Sequence, residues 1–269
     1  MTKAIPPAVC DAVLAALPDL SGKPWLALSG GRTNRLWRVG RAVIKCHDPD
    51  AATPLFPNDA GAEARALYQL APSGLAPALL AVGQGWLAYA HVAGPMWSGD
   101  SSPVARALHR LHGHDPQGYR QLPSGSAAIL AQGIAIAGEC RGSLPPPPAD
   151  PGIPALDRPA LIHGDAVPGN IVMGDAGPVL IDWQCPAAGD PAEDLAIFLS
   201  PAMQWLYRGQ LPDAGLVAQT LSAYPDKSVA DRYLALAPLF RWRMAAHCLW
   251  KAERGAPDYA QAMRLELQQ

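Results

Sequence analysis

The sequence predicts an α+β protein in two parts, and two observations carry that prediction. Short strand-like runs joined by tight turns fill the first third of the chain, whereas beyond about residue 93 the apolar residues recur at helical spacing. Strands first and helices after is the α+β order, and it divides the chain into residues 1–92 and 93–269. With 269 residues, 49% of them apolar, there is enough chain for one large domain or two lobes sharing a cleft.

Residues 8–17 read as a helix stopped by Pro18. Residues 25–46 alternate like strands, with a Gly-Gly turn near the start and Gly40-Arg41 as a tight connection before Ala42-Val43-Ile44-Lys45. A polar, proline-rich loop follows and ends in Asn58 and Asp59, both good helix caps. The helix it opens runs towards Pro72, and two more strand-like runs occupy residues 78–92. Beyond them come helices, a proline-rich loop at 143–154 read as polyproline II, a turn-rich stretch from Ala160 to Trp183, and helices from Ala192 to the end.

A net charge of −2 argues against a general nucleic-acid or membrane-surface binder. Five scattered cysteines without a CxxC pair suit reduced thiols rather than a disulfide scaffold or structural zinc. The N-terminus lacks the uninterrupted apolar core of a signal peptide, and no apolar run is long enough to span a bilayer. The expectation is a cytoplasmic protein.

The chemistry concentrates in His163-Gly164-Asp165, Asn170 and Asp182. Ile171–Met173 and Val179–Ile181 flank the turn-rich Gly174-Asp175-Ala176-Gly177-Pro178, which predicts a hairpin. If Met173 pairs with Val179, Asn170 falls opposite Asp182 at the open end. One carboxylate and one amide oxygen so placed suit Mg²⁺, a hard cation that keeps water or phosphate oxygens for its remaining positions. Asp165, in the turn before this pair, is placed to take a proton from an attacking substrate hydroxyl.

The spacing His-x-Asp-x4-Asn, followed by an aspartate after a short hairpin, resembles the catalytic and metal-binding segment of the protein-kinase-like superfamily. The glycine after the histidine, Ile181-Asp182-Trp183, and Gly189-Asp190-Pro191-Ala192-Glu193-Asp194-Leu195-Ala196 are closer to the aminoglycoside phosphotransferase and choline kinase family. Gly30-Gly31-Arg32-Thr33-Asn34 and Val43-Ile44-Lys45-Cys46-His47-Asp48 look most like its bacterial choline/ethanolamine or thiamine kinase-like members. Ala166-Val167 stand where many relatives have Leu-His.

The resemblance implies a two-lobed, protein-kinase-like fold, with residues 1–92 as the small nucleotide-binding lobe and 93–269 as the helical catalytic and acceptor-binding lobe. It implies an ATP- and Mg²⁺-dependent small-molecule kinase in which Asp165 is the catalytic base and Asn170 and Asp182 hold the metal. Lys45 then holds ATP phosphates, Glu63 orients Lys45, and Gly30, Gly31, Thr33 and Asn34 belong to the turn covering the phosphates. Glu63 shares a helical face with Leu67 and Leu70 at i+4 and i+7, and a carboxylate on an inward apolar stripe needs a cationic partner, which Lys45 supplies.

The acceptor is expected to be a hydroxylated small molecule, with the protein a monomer or homodimer. Residues 1–92 hold 8 Lys+Arg and 6 Asp+Glu, and the remainder 13 and 17, so the second part is the acidic one. With Trp183, Trp205, Trp242, Trp250 and Glu253 there, this leans towards a cationic alcohol such as choline, ethanolamine or thiamine. An aminoglycoside or amino sugar is the alternative acceptor, and a non-catalytic nucleotide-binding regulator the alternative function. Other signals read as structural: Gly83-Gln84-Gly85 as a hairpin turn, the histidines at 109, 112 and 114 as helix-end residues, and Asp190 and Asp194 as supports of the catalytic loop.

Overall fold

The computed structural model describes residues 5–28 and 34–268. It forms two compact units, residues 1–95 with 172–185 and residues 96–171 with 186–269. The hairpin segment thus packs with the N-terminal unit, although it lies far along the chain.

In the first unit, α1 (Pro7–Ala16) precedes the strands β1 (Trp25–Ala27), β2 (Arg35–Val39) and β3 (Ala42–Cys46). Next come α2 (Ala60–Leu70), β4 (Leu79–Gly83) and β5 (Trp86–Ala90). The sheet is antiparallel in the order β1-β2-β3-β5-β4, which makes β3 the central strand. Alternation assigns its two faces. Ala42, Ile44 and Cys46 join Trp37, Val39, Trp86 and Ala88 in a core with Val13 and Leu17 of the N-terminal segment. Val43 and Lys45 take the other face, beside their register partners Tyr89 and Leu87. Burial on both faces explains why all five residues of β3 are buried.

Asp59 starts α2 by accepting from the N–H groups of Gly61 and Ala62, both at 2.9 Å, which is the N-cap arrangement. The helix buries Glu63, Ala66, Leu67 and Leu70. Strands β8 (Ile171–Gly174) and β9 (Gly177–Leu180) form the two-stranded sheet of the expected hairpin. Two backbone hydrogen bonds hold it to the first unit, Leu180 N–H to Leu75 O and Met173 N–H to Pro95 O, each 2.9 Å. Gly94, at φ +142, passes so close that a Cβ would lie 2.1 Å from Met173 O, so only glycine permits this approach.

The second unit is mainly helical: α3 (Ser102–His112), α4 (Ser126–Gly138), α5 (Pro191–Phe198), α6 (Pro201–Arg208), α7 (Ala214–Ala223), α8 (Lys227–Ala252) and α9 (Asp258–Leu267). The long α8 packs on α4, α5 and α9. Arg243 of α8 makes a buried bidentate pair with Glu193 of α5 and donates to Gln132 of α4 at 2.7 Å. Residues 143–154 form no helix or strand. A small sheet not visible in the sequence joins β6 (Arg120–Gln121), β7 (Ala160–Ile162) and β10 (Ala187–Gly189) in the order β6-β10-β7. Strands of two and three residues are too short to display a period.

Glu266 ties α9 to α6, because its Oε1 accepts from the Ser200 hydroxyl and from Ala202 N–H. Burial pushes this carboxyl from the ordinary 4.5 up to about 7. Its folded pKa exceeds its unfolded one, so the protonated form belongs to the fold. The associated stability is complete below pH 4.5 and is lost as pH rises through about 7. Over that window the loss is roughly 3 kcal/mol. Glu266→Gln keeps the accepting oxygen without the charge and should flatten the dependence; urea unfolding at pH 5 and pH 8 measures it, and an undiminished slope would contradict the assignment. Among the described residues no helix is long and apolar enough to cross a membrane.

Candidate active site

In the second unit, the buried strand β7 delivers the chain into His163-Gly164-Asp165, where Gly164 turns at φ +73. Asp194 on α5 holds this turn from below. Its Oδ2 accepts from His163 N–H and its Oδ1 from Gly164 N–H, each at 2.8 Å. His112 at the end of α3 places Nε2 3.1 Å from Asp194 Oδ2 and Nδ1 2.6 Å from the Tyr224 hydroxyl. Burial works against the Asp194 charge, but the hydrogen bond and charge of His112 and the nearby His163 hold its carboxyl below the usual range. Asp190 instead caps α5 and pairs with Arg232 at 2.6 Å.

Asp165 and Asn170 are brought together in this unit. Asn170 Nδ2 donates to Asp165 O at 2.9 Å and to Asp165 Oδ2 at 3.2 Å. The bonds commit the amide nitrogen and leave Oδ1 as the oxygen that Asn170 offers elsewhere. Gly169 lies on the Tyr207 ring, which a Cβ would meet at 2.1 Å, so the loop between Asp165 and Asn170 is seated against α6.

The first unit brings Lys45, Glu63 and Asp182 together. Lys45 Nζ donates to Glu63 Oε2 at 2.6 Å and also to Asp182 Oδ1. Lys45 and Glu63 are fully buried, while the Asp182 side chain keeps 24% exposure. Burial opposes the lysine charge, but the carboxylates of Asp182 and Glu63 outweigh it and hold the ammonium above its ordinary range. Burial likewise opposes the Glu63 charge, and Lys45 with His47 keeps that carboxyl below its usual value. Asp182 stands at φ +64, the one positive-φ residue other than glycine among the described residues. Such strain is found at sites where the surroundings over-determine the backbone.

Replacing Lys45 with Met would leave the Glu63 charge at full burial beside His47 alone. Lys45→Met should cost about 3–5 kcal/mol of stability, partly recovered in Lys45→Met/Glu63→Gln, because an uncompensated buried charge is the main penalty. Urea denaturation of the single and double variants checks this.

Gly30, Gly31 and Thr33 lie outside the described residues. Asn34 is described and buried. Sequence reasoning missed His47, whose Nε2 is 2.9 Å from Glu63 Oε2, and Gln184, whose Oε1 accepts from Asn34 Nδ2 at 2.7 Å. His47 was within reach of a pattern argument, since two residues beyond Lys45 on an extended chain is the same face. Among the described residues no cluster of three or more His, Cys, Asp and Glu side chains could hold a metal, so the histidines at 109, 112 and 114 form no such group.

Three of the four tryptophans read as a wall for a cation are engaged elsewhere in the structure. Trp183 belongs to the first unit, is fully buried and donates to Leu180 O at 2.8 Å. Trp242 is buried and donates to Pro145 O at 2.9 Å. The Arg254 guanidinium already lies 4.2 Å from the Trp250 ring centroid, and Glu253 accepts from the N–H groups of Arg141 and Gly142. These groups hold the fold together.

A sequence model of the phosphotransferase enzyme family (APH) matches residues 24–233, well over half of the chain. The chain belongs to that family. Thiamine kinase from Salmonella typhimurium is 33% identical over 181 residues, 63% of this family member and 62% of the relative. The match therefore spans less than two thirds of the relative's length. A solved choline/ethanolamine kinase family protein from Mesorhizobium loti superposes with a TM-score of 0.68 at 18% identity, covering 96% of this chain and 94% of that one. An aminoglycoside phosphotransferase from Streptomyces rimosus, solved with ADP and streptomycin, gives a TM-score of 0.52 at 19% identity over 86% of this chain and 98% of that one. Together these likenesses establish the protein-kinase-like two-lobed fold, with a β-rich N-terminal lobe and a larger helical C-terminal one.

Proposed function

We propose that this family member is an ATP- and Mg²⁺-dependent phosphotransferase that phosphorylates a hydroxyl of a small cationic alcohol, with thiamine the first candidate. The observation that carries the reading is Lys45 held charged between Glu63 and Asp182, because a buried ammonium gripped by two carboxylates suits the binding of nucleotide phosphates. In support, the Salmonella relative is a thiamine kinase and the Streptomyces neighbour was solved with ADP.

Lys45 binds the α/β-phosphates and Glu63 fixes its direction. Gly30, Gly31 and Thr33 are assigned to contact with the phosphates. Asp165 accepts the proton of the acceptor hydroxyl and, held by its turn, orients that oxygen. Asn170 and Asp182 are the oxygen donors assigned to Mg²⁺. The donor chemistry fits, since the Asn170 nitrogen is committed to Asp165 and the Asp182 carboxylate is partly exposed. Bound Mg²⁺ supplies neutralisation of the phosphate charge.

The test is ADP release from ATP with thiamine, choline, ethanolamine, amino sugars and aminoglycosides offered in turn. The proposal expects turnover stimulated by thiamine or another cationic alcohol and abolished by chelating Mg²⁺. Stimulation by an aminoglycoside alone would move the acceptor class, and a rate indifferent to every acceptor would count against the reading.

A further inference from the structure

We propose that Gln184 is a positioning residue of the nucleotide site, linking the amide cluster of Asn34 and Asn58 to the Lys45–Asp182 pair. The inference rests on the nucleotide reading above.

Three side-chain amides meet here, and the backbone of Asp48 orients them. Asp48 N–H donates to Asn34 Oδ1 at 2.9 Å, which fixes that oxygen as the acceptor. Asp48 O accepts from Asn58 Nδ2 at 2.7 Å, which fixes that nitrogen as the donor. Asn34 and Asn58 then exchange a reciprocal pair of hydrogen bonds, each 2.9 Å. The second N–H of Asn34 donates to Gln184 Oε1 at 2.7 Å. Both donors and both acceptor positions of the Asn34 amide are thereby used. Its side chain has no capacity left for a nucleotide, so it ties Gln184 to Asp48 and Asn58 rather than binding phosphate.

Gln184 is the receiving end of that hold. The same Oε1 lies 3.4 Å from Lys45 Nζ, and the residue stands two positions after Asp182. Its backbone carbonyl accepts from Asp59 N–H at 3.1 Å, at the cap of the helix that carries Glu63. Asn34 is 7% exposed and Gln184 3%, so water does not substitute freely for either partner. One residue thus bears on Asn34 and Lys45 through its side chain and on the cap of the Glu63 helix through its backbone.

The experiment is a double-mutant cycle read as the Kd for Mg-ATP by calorimetry, with Gln184→Met, Asn34→Ala and the double variant, each far below its melting temperature. Gln184→Met fills the volume, drops only the accepting oxygen and leaves the Asp48–Asn58 bonds, so it decides the matter if the Asn34 variants fold poorly. The expected result is a Kd raised about tenfold in Gln184→Met, and no further by more than about twofold in the double variant. Wild-type affinity in Gln184→Met, whatever its melting temperature, would overturn the inference, as would losses that multiply in the double variant. Failure of the wild-type chain to bind Mg-ATP would remove the nucleotide reading and this inference with it.

Discussion

Asp165→Asn should lower turnover by about 10²–10⁴-fold while the Kd for Mg-ATP stays within about threefold of wild type. The substitution keeps size and leaves an oxygen able to accept from Asn170 Nδ2, which lies 3.2 Å from Asp165 Oδ2. It removes the capacity to take a proton. The turn should survive, because Asp194 holds it through the N–H groups of His163 and Gly164 and not through the Asp165 side chain. A loss confined to the rate therefore identifies a base. Equal losses in rate and nucleotide affinity would instead assign Asp165 to binding.

Asp182→Ala should abolish Mg²⁺-dependent turnover, a loss of about a thousandfold or more, since it removes both an oxygen assigned above to Mg²⁺ and one of the two carboxylates on Lys45. Stability should respond differently. At φ +64 an alanine is strained by about 1 kcal/mol relative to glycine, so Asp182→Gly should be as inactive as Asp182→Ala yet more stable. Parallel measurement of ADP release and urea unfolding on the two variants separates the metal role from the backbone role. Appreciable Mg²⁺-dependent activity in either would sink the metal assignment.

How much of this was legible in the sequence depends on the range of the signal. The Lys45–Glu63 pair could be read because strand alternation and the i, i+4, i+7 stripe of Glu63, Leu67 and Leu70 are local periodicities. The hairpin at β8 and β9 could be read from a turn-rich linker between two apolar runs. The packing of residues 172–185 with the N-terminal unit could not, since no local pattern reports which sheet a distant hairpin joins. The amide cluster was equally hidden: Asn34, Asn58 and Gln184 meet across 24 and 150 positions, and polar side chains at such separations leave no period. The tryptophans misled for a related reason, because composition counts aromatic rings without recording that Arg254 covers Trp250 or that Trp183 is buried in its core.

The most direct measurement follows the γ-phosphoryl group itself. Labelled ATP is incubated with Mg²⁺, the protein and a pool of thiamine, choline, ethanolamine, amino sugars and aminoglycosides, and the label is traced in wild type and Asp165→Asn. The account predicts label in a phosphate ester of one pooled acceptor, dependent on Mg²⁺ and lost in the variant. Label recovered only as unreacted ATP or inorganic phosphate from the wild-type protein would contradict it.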